Sequence, residues 1–321
     1  MKPITLLFVL IAVTLGLQAL GLAVGSTGWS PPWGDPTAMQ IVWDIRAPRC
    51  VGAWLAGALL GLGGAIAQGL FRNPLADPYL LGSSSGAALG VAVLLALLGV
   101  SPVASAWSLR LGLTGAAFVG AVGAVSLTLI LARGVQHTLR LLLAGVVVGV
   151  VLGALSALTM LMVPDIMRAM QAFMMGTTGF LGWNSVTILA STLLVSVLVA
   201  FGCSRALDAL TLGDSAAISL GVRLTGVRML LIAAMALATG AAVAQAGLIS
   251  FVGLVAPHLV RSRVNATNGP VLLLSALFGG VLLLGADIVA RWVWAPQELP
   301  VGVLTAVLGG GYLLWRMNRG G

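Results

Sequence analysis

The sequence predicts an all-α, polytopic membrane protein of about ten spans, and three observations carry that reading. Hydrophobic residues fill 60% of the 321 positions and charged residues only 7%, where a soluble globule carries about 25% charged residues. The apolar residues gather in runs close to the ~20 residues that cross a bilayer as helix. The 16 basic residues also sort by side once the spans alternate from a cytoplasmic N-terminus. Lys2, Arg72, Arg133, Arg140, Arg205, Arg223, Arg228, Arg261, Arg263, Arg316 and Arg319 then lie inside, and Arg46, Arg49, Arg110, Arg168 and Arg291 outside. That bias is the positive-inside distribution and places both termini in the cytoplasm. The net charge of +8 thus reports orientation, not an affinity for nucleic acid.

The spans follow in order. The first run, 4–24, exceeds the 7–15 residues of a secretory signal core, so it reads as an uncleaved helix. Runs 51–71 and 80–100 flank a polar turn in which Pro74 and Pro78 forbid a continuous helix. Ser83, Ser84, Ser85 and Gly86 then open the third span with side chains small enough for close backbone approach. Spans four to six cover 111–131, 141–163 and 186–201. The inner break 204–226 reads as one or two short interfacial helices, with Asp208 and Asp214 as N-caps and Gly213 and Gly221 as stops. Its helix has nothing of its own to pack on, which points to a partner protein. Spans seven to ten cover 227–249, 251–260, 271–289 and 301–314, the eighth too short to cross alone. Trp29, Trp33, Trp43 and Trp183 in the outer breaks suit the aromatic belt at the headgroups. The stretch GAIAQGL at 64–70 echoes GAAVAQAGL at 240–248, on spans of opposite direction. The echo suggests an inverted repeat of spans 2–5 and 7–10, a common transporter plan.

Several chemistries lack their residues. Lys2 is the only lysine, so the phosphate-binding G-x-x-x-x-G-K-[ST] loop has no place here and the chain does not hydrolyse ATP. His137 and His258 are far apart in sequence, with no catalytic or metal-ligating set around them. Cys50 and Cys203 fall at opposite faces, too distant for a bridge, and read as small buried hydrophobes. The eight acids sit in loops or near span ends, Asp287 excepted, and Asp287 has Arg291 at helical i,i+4 spacing as a local partner. An ion-coupled secondary transporter, which keeps acids at mid-membrane for function, is therefore the disfavoured alternative.

Six motifs occur in register: DIRAPR (44–49), RNPLADPYLLGSSSGAALG (72–90), GDSAAISLG (213–221), GLVAPHLVR (253–261), ADIVAR (286–291) and ELPVGVLTAVLGG (298–310). Together they resemble the permease subunits of ABC importers for ferric siderophores, haem and cobalamin. The resemblance implies a single membrane domain over 1–321, paired with a second copy of itself in the bacterial inner membrane. Two ATP-binding cassette subunits would carry ATP and Mg beneath it, and a periplasmic substrate-binding protein would dock above; no cofactor is implied on this chain. Arg46, Arg49 and Arg291 resemble arginines that receive acids of the binding protein, a role suited to a permanent charge with two parallel donors. Gly213, Asp214, Ser215, Ala217, Ser219, Leu220 and Gly221 match the helix that seats in an ATPase cleft, within a coupling segment at about 205–226. Thr138 and Leu139 fall at the family's inner gate. Met174, Met175 and Gly176 begin MMGTTGFLGW, like the short outer helix beside the path. Six of the eleven methionines, Met160, Met162, Met167, Met170, Met174 and Met175, cluster here and could line a passage for bulky ligands or simply pack. Two departures stand out: Ile218 where arginine is usual, and Gly310-Gly311-Tyr312 for the usual Ala-Pro, which implies a straighter or more mobile last helix. By frequency within the family, the cargo order is ferric siderophore, haem, cobalamin.

Overall fold

The computed structural model describes residues 1–25, 28–29, 36–98, 107–132 and 138–319. Helix α1 (Pro3–Ala23) leads into a two-residue antiparallel ribbon, β1 (Val24–Gly25) with β2 (Gly28–Trp29), in which Val24 faces Trp29. Then come α2 (Pro36–Ile41), a π-turn (Val42–Arg46) and α3 (Ala47–Phe71). A 3-10 turn (Pro78–Leu81) precedes α4 (Ser83–Leu98), followed by α5 (Trp107–Leu131) and α6 (Thr138–Met162). The outer connection holds α7 (Met167–Met175), and α8 (Trp183–Gly202) returns to the inner side. There α9 (Ser204–Thr211) and α10 (Asp214–Ser219) form the expected pair of short helices. The chain ends with α11 (Leu224–Ala246), α12 (Val252–Arg263), α13 (Asn268–Trp292) and α14 (Val301–Arg319). Each of the ten apolar runs therefore has its helix. Among the described residues, seven helices are long and apolar enough to cross a membrane; α4 and α12, with 16 and 12 residues, are short for a structural reason.

Both short helices start inside the bundle. Pro78 Cβ lies 3.3 Å from where a Cβ on Gly63 would stand, and Gly63 is about 12 Å up α3 from its inner end at 1.5 Å per residue. Gly253, in the first turn of α12, meets α3 at the neighbouring Gly64. Non-helical backbone survives at such depth only when protein satisfies it. Here Tyr79 Oη donates to Ile249 O at 3.2 Å and Tyr79 N to Asp77 Oδ1 at 2.8 Å, while Gln68 Nε2 on α3 reaches Leu254 O in the first turn of α12 at 3.1 Å.

Helix α3 is the buried axis, packed by α13, α11, α12 and α8. Small residues bring its backbone onto α13: a Cβ on Gly57 would stand 2.3 Å from Gly279 O, and one on Gly61 2.2 Å from Ser275 O. Gly86 and Gly120 join α4 to α5 in the same way, as small-xxx-small faces do in lipid. The tightest approach is at Gly64, where a Cβ would stand 1.6 Å from Gly253 O. Gly64→Ala is expected to destabilise by about 3 kcal/mol, the upper part of the overpacking range, since backbone faces backbone. Thermal melting of the purified chain checks this; a variant that melts with the parent would contradict the contact. The pairings also have the correspondence of an inverted repeat, α3 lying on α12 and α13 as α11 lies on α4 and α5.

The two ends of the bundle differ. The amino group of Met1 donates to Arg263 O at 3.0 Å, and Arg72 and Arg228 meet Asp214 at that same end. Arg46, Arg49 and Arg291 gather at the opposite end, near Trp43 and Trp183, whose ring centroids are 5.1 Å apart. Trp33, Arg133 and His137 lie outside the described residues. Cys50 and Cys203 are both free thiols. Helix α14 runs unbroken through Gly310–Tyr312, with the Tyr312 ring edge-on to His258 at 6.3 Å.

Candidate functional site

At the outer end an ion cluster joins three elements. Asp287, 0% exposed on α13, makes an ion contact with Arg291 Nη2 through Oδ2 at 2.8 Å. Its other oxygen accepts from Arg49 Nε and Nη2 at 3.1 and 2.9 Å and from Thr178 Oγ1 at 2.5 Å. Arg49, in the first turn of α3, also holds Glu298, with Nη1 on Oε1 at 3.0 Å and Nη2 against Oε2 at 2.9 Å. Arg291, 1% exposed, donates to Val24 O at 3.0 Å.

The expected i,i+4 pair is present, and Arg49 and Arg291, which the resemblance gives as receivers of a binding protein's acids, each hold carboxylates of this chain. Both are buried and matched to carboxylates of this chain, because an unpaired charge inside a bundle is far costlier than a paired one. Arg46 is half-buried, with Nη1 on Leu22 O at 3.0 Å. Glu298 and Thr178 were not singled out from sequence. Glu298 comes to Arg49 from 249 residues away and Thr178 to Asp287 from 109, and no local pattern encodes that.

At the inner end α9 and α10 are two-faced. Leu207, Leu210 and Ala217 are buried in the main core, whereas Leu212, Ile218 and Leu220 are 70%, 59% and 65% exposed. The coupling helix thus packs on its own bundle, contrary to expectation, and still presents an apolar ledge. Gly213 and Gly221 bracket α10 with φ of +107° and +82°, a region glycine enters without strain, so their role as punctuation holds. The two acids are not the caps expected. Asp214 is the first residue of α10, held by Arg228 Nη2 at 2.9 Å to both oxygens. Asp208 lies within α9, and its Oδ1 accepts from Asn268 N and Nδ2 at 2.8 Å, capping α13 instead. Ser219 Oγ donates to Ser215 O at 3.0 Å along the exposed side. A cleft of about 800 Å³ beside the ledge is lined by Arg205, Asp208, Leu212, Leu220 and Arg261.

Between the ends, Thr138 opens α6 and Leu139 stands exposed beside it. Leu143, Val146 and Val150 continue the same exposed face at the spacing of one helix stripe. Met174 and Met175 are exposed at the end of α7, while Met170 is core. Gly176 is buried: a Cβ there would stand 2.4 Å from Leu248 O, and its carbonyl accepts from Gly302 N at 3.4 Å. It joins α7 to α14 behind the methionines instead of lining the surface they line. Asp77, read from sequence as a loop acid, lies at the depth of Gly63.

A family model described as the FecCD transport family matches residues 4–319. The hemin transport system permease protein HmuU of Yersinia pestis is 39% identical over 320 residues, 98% of this chain and 94% of that protein. The vitamin B12 import system permease protein BtuC of Escherichia coli (strain K12 / DH10B) is 39% identical over 309 residues, 94% of this chain and 91% of that one. The solved structure of a metal-chelate type ABC transporter in an inward-facing conformation matches with a TM-score of 0.87 at 28% identity, over 97% of this chain and 99% of that chain. PsaBC from Streptococcus pneumoniae, at 16% identity and a TM-score of 0.57 over 82% of this chain and 88% of that one, shares the fold.

Proposed function

Because the chain belongs to the FecCD transport family, we propose that it passes a metal chelate from a periplasmic binding protein across the bacterial inner membrane into the cytoplasm. It would work as a homodimer on two ATP-binding cassette subunits, both termini inside. ATP hydrolysis belongs to the separate subunit, and this chain is no enzyme. The observation that carries the coupling role is the ledge of Leu212, Ile218 and Leu220 on helices otherwise anchored by buried Leu207, Leu210 and Ala217. A firmly seated segment with an uncovered apolar face can transmit a push, since only differential contacts bias one conformation over another. Hemin and vitamin B12, the cargoes named for its two relatives, are the first chelates to test.

Docking is proposed at the opposite end, with Arg46 as the principal contact. Arg49 and Arg291 support the mouth through the Asp287 cluster. Arg46→Glu is expected to weaken binding-protein association about tenfold at low salt, the scale of one charge-assisted contact, with basal ATPase activity unchanged. Titrating the solubilised complex with its binding protein measures this. Equal affinity of variant and parent at low salt would remove Arg46 from the docking surface.

A further inference from the structure

The inner third of the bundle holds a carboxylate that neither the docking end nor the coupling ledge uses. Asp77 precedes Pro78, which packs at the level of Gly63, so the acid sits about 12 Å inside the end of α3 at 1.5 Å per residue. Its Oδ1 accepts from Tyr79 N at 2.8 Å, capping the 3-10 turn. Its Oδ2 receives no hydrogen bond from the described residues, and none of their cations pairs with it. Capping needs one acceptor oxygen, which asparagine would supply without charge. The charge and the second oxygen are surplus to that structural role. An acid at such depth is costly, and those that persist mark solute or ion pathways.

The surroundings give the surplus oxygen something to do. Asp77 lines a pocket of about 410 Å³ with Ser84 and Ser85 from the first turn of α4 and Gly145, Val146 and Val150 from α6. Val146 and Val150 belong to the exposed stripe that begins at Leu139, so the pocket opens on the face of α6 that carries the expected inner gate. The remaining wall is chiefly aliphatic apart from Tyr79, whose hydroxyl already donates to Ile249 O, which leaves one carboxylate and two serine hydroxyls to orient a visitor.

We propose that Asp77, Ser84 and Ser85 form a polar station within the passage that holds the hydrogen-bond-donating edge of the chelate (amide N–H or hydroxyl groups) on its way to the gate. This rests on the transport reading above. The carboxylate oxygen accepts from the donor edge, the serines accept or donate beside it, and the apolar wall faces the rest of the cargo. Release follows as the gate face of α6 moves away from the turn.

The test uses the complete complex in proteoliposomes, with vitamin B12, a ferric hydroxamate siderophore and hemin as separate probes. Asp77→Asn keeps the cap oxygen and removes the charge. Uptake of the carried amide- or hydroxyl-bearing chelate is expected to fall about tenfold, the value of one charge-assisted hydrogen bond, with melting temperature unchanged. Asp77→Glu should restore most of it. Uptake by Asp77→Asn equal to the parent's overturns the station and leaves a structural cap. Parent uptake that collapses with an uncoupler also overturns it, making Asp77 a proton carrier. A parent that carries hemin alone, whose carboxylate edge offers no amide or hydroxyl donor, overturns the station as well; if the parent carries none of the three probes, the transport reading fails separately, and the station is judged by Asp77→Cys. A small cationic thiol reagent added from the aqueous side should modify that cysteine, and absence of reaction overturns the site.

Discussion

Asp287→Ala is expected to cost about 3–5 kcal/mol, the penalty for leaving buried charges without their partner, and to deplete folded protein from the membrane. Asp287 is fully buried and serves Arg49, Arg291 and Thr178 at once. Its removal strands the Arg291 guanidinium in a low-dielectric interior and takes one of the two carboxylates from Arg49. Glu298 can still neutralise Arg49, but among the described residues Arg291 keeps only backbone carbonyls and the Cys50 sulfur around it. The double variant Asp287→Leu with Arg291→Leu should recover much of the loss, because replacing a buried pair with apolar groups is often neutral. Melting curves and membrane yield of both variants check this. Asp287→Ala melting within a degree or two of the parent would mean the cluster contributes little.

The coupling ledge gives the second large effect. Ile218→Asp together with Leu220→Asp is expected to weaken ATPase association at least a hundredfold, taking about 2 kcal/mol for each apolar anchor and less than full additivity for neighbours. The chain itself should remain folded. Both side chains face outward, and α10 is held by buried Ala217 and by the Asp214–Arg228 pair. Co-purification with the ATPase chain and a melting curve of the permease alone separate the two effects. A complex that purifies whole would reduce the ledge to lipid-facing or connecting surface.

Hydropathy marked ten of the fourteen described α-helices because lipid demands apolar side chains along any span, and helical spacing linked Asp287 to Arg291. Gly213 and Gly221 were legible since a chain reversal needs backbone that glycine supplies. Depth was not legible: a count of apolar residues cannot show that Pro78 and Gly253 meet in mid-bundle. Asp77 was accordingly placed with loop acids, although a lone carboxylate between two apolar runs was the available signal. Long-range pairing was equally hidden. Arg49 and Glu298 are 249 residues apart, so Arg49 was legible only as a docking arginine and not as the partner of Glu298. Asp208 looked like the cap of its own helix but caps α13, since Asn268 reaches it through the fold.

The most direct test of the importer account is chelate uptake into proteoliposomes holding this chain with its ATPase and binding-protein partners. Uptake should require ATP inside the compartment that faces α9 and α10, and it should continue at full rate when an uncoupler abolishes the ion gradients. Uptake that proceeds without ATP and stops with the uncoupler would contradict the account and make the chain a gradient-driven carrier.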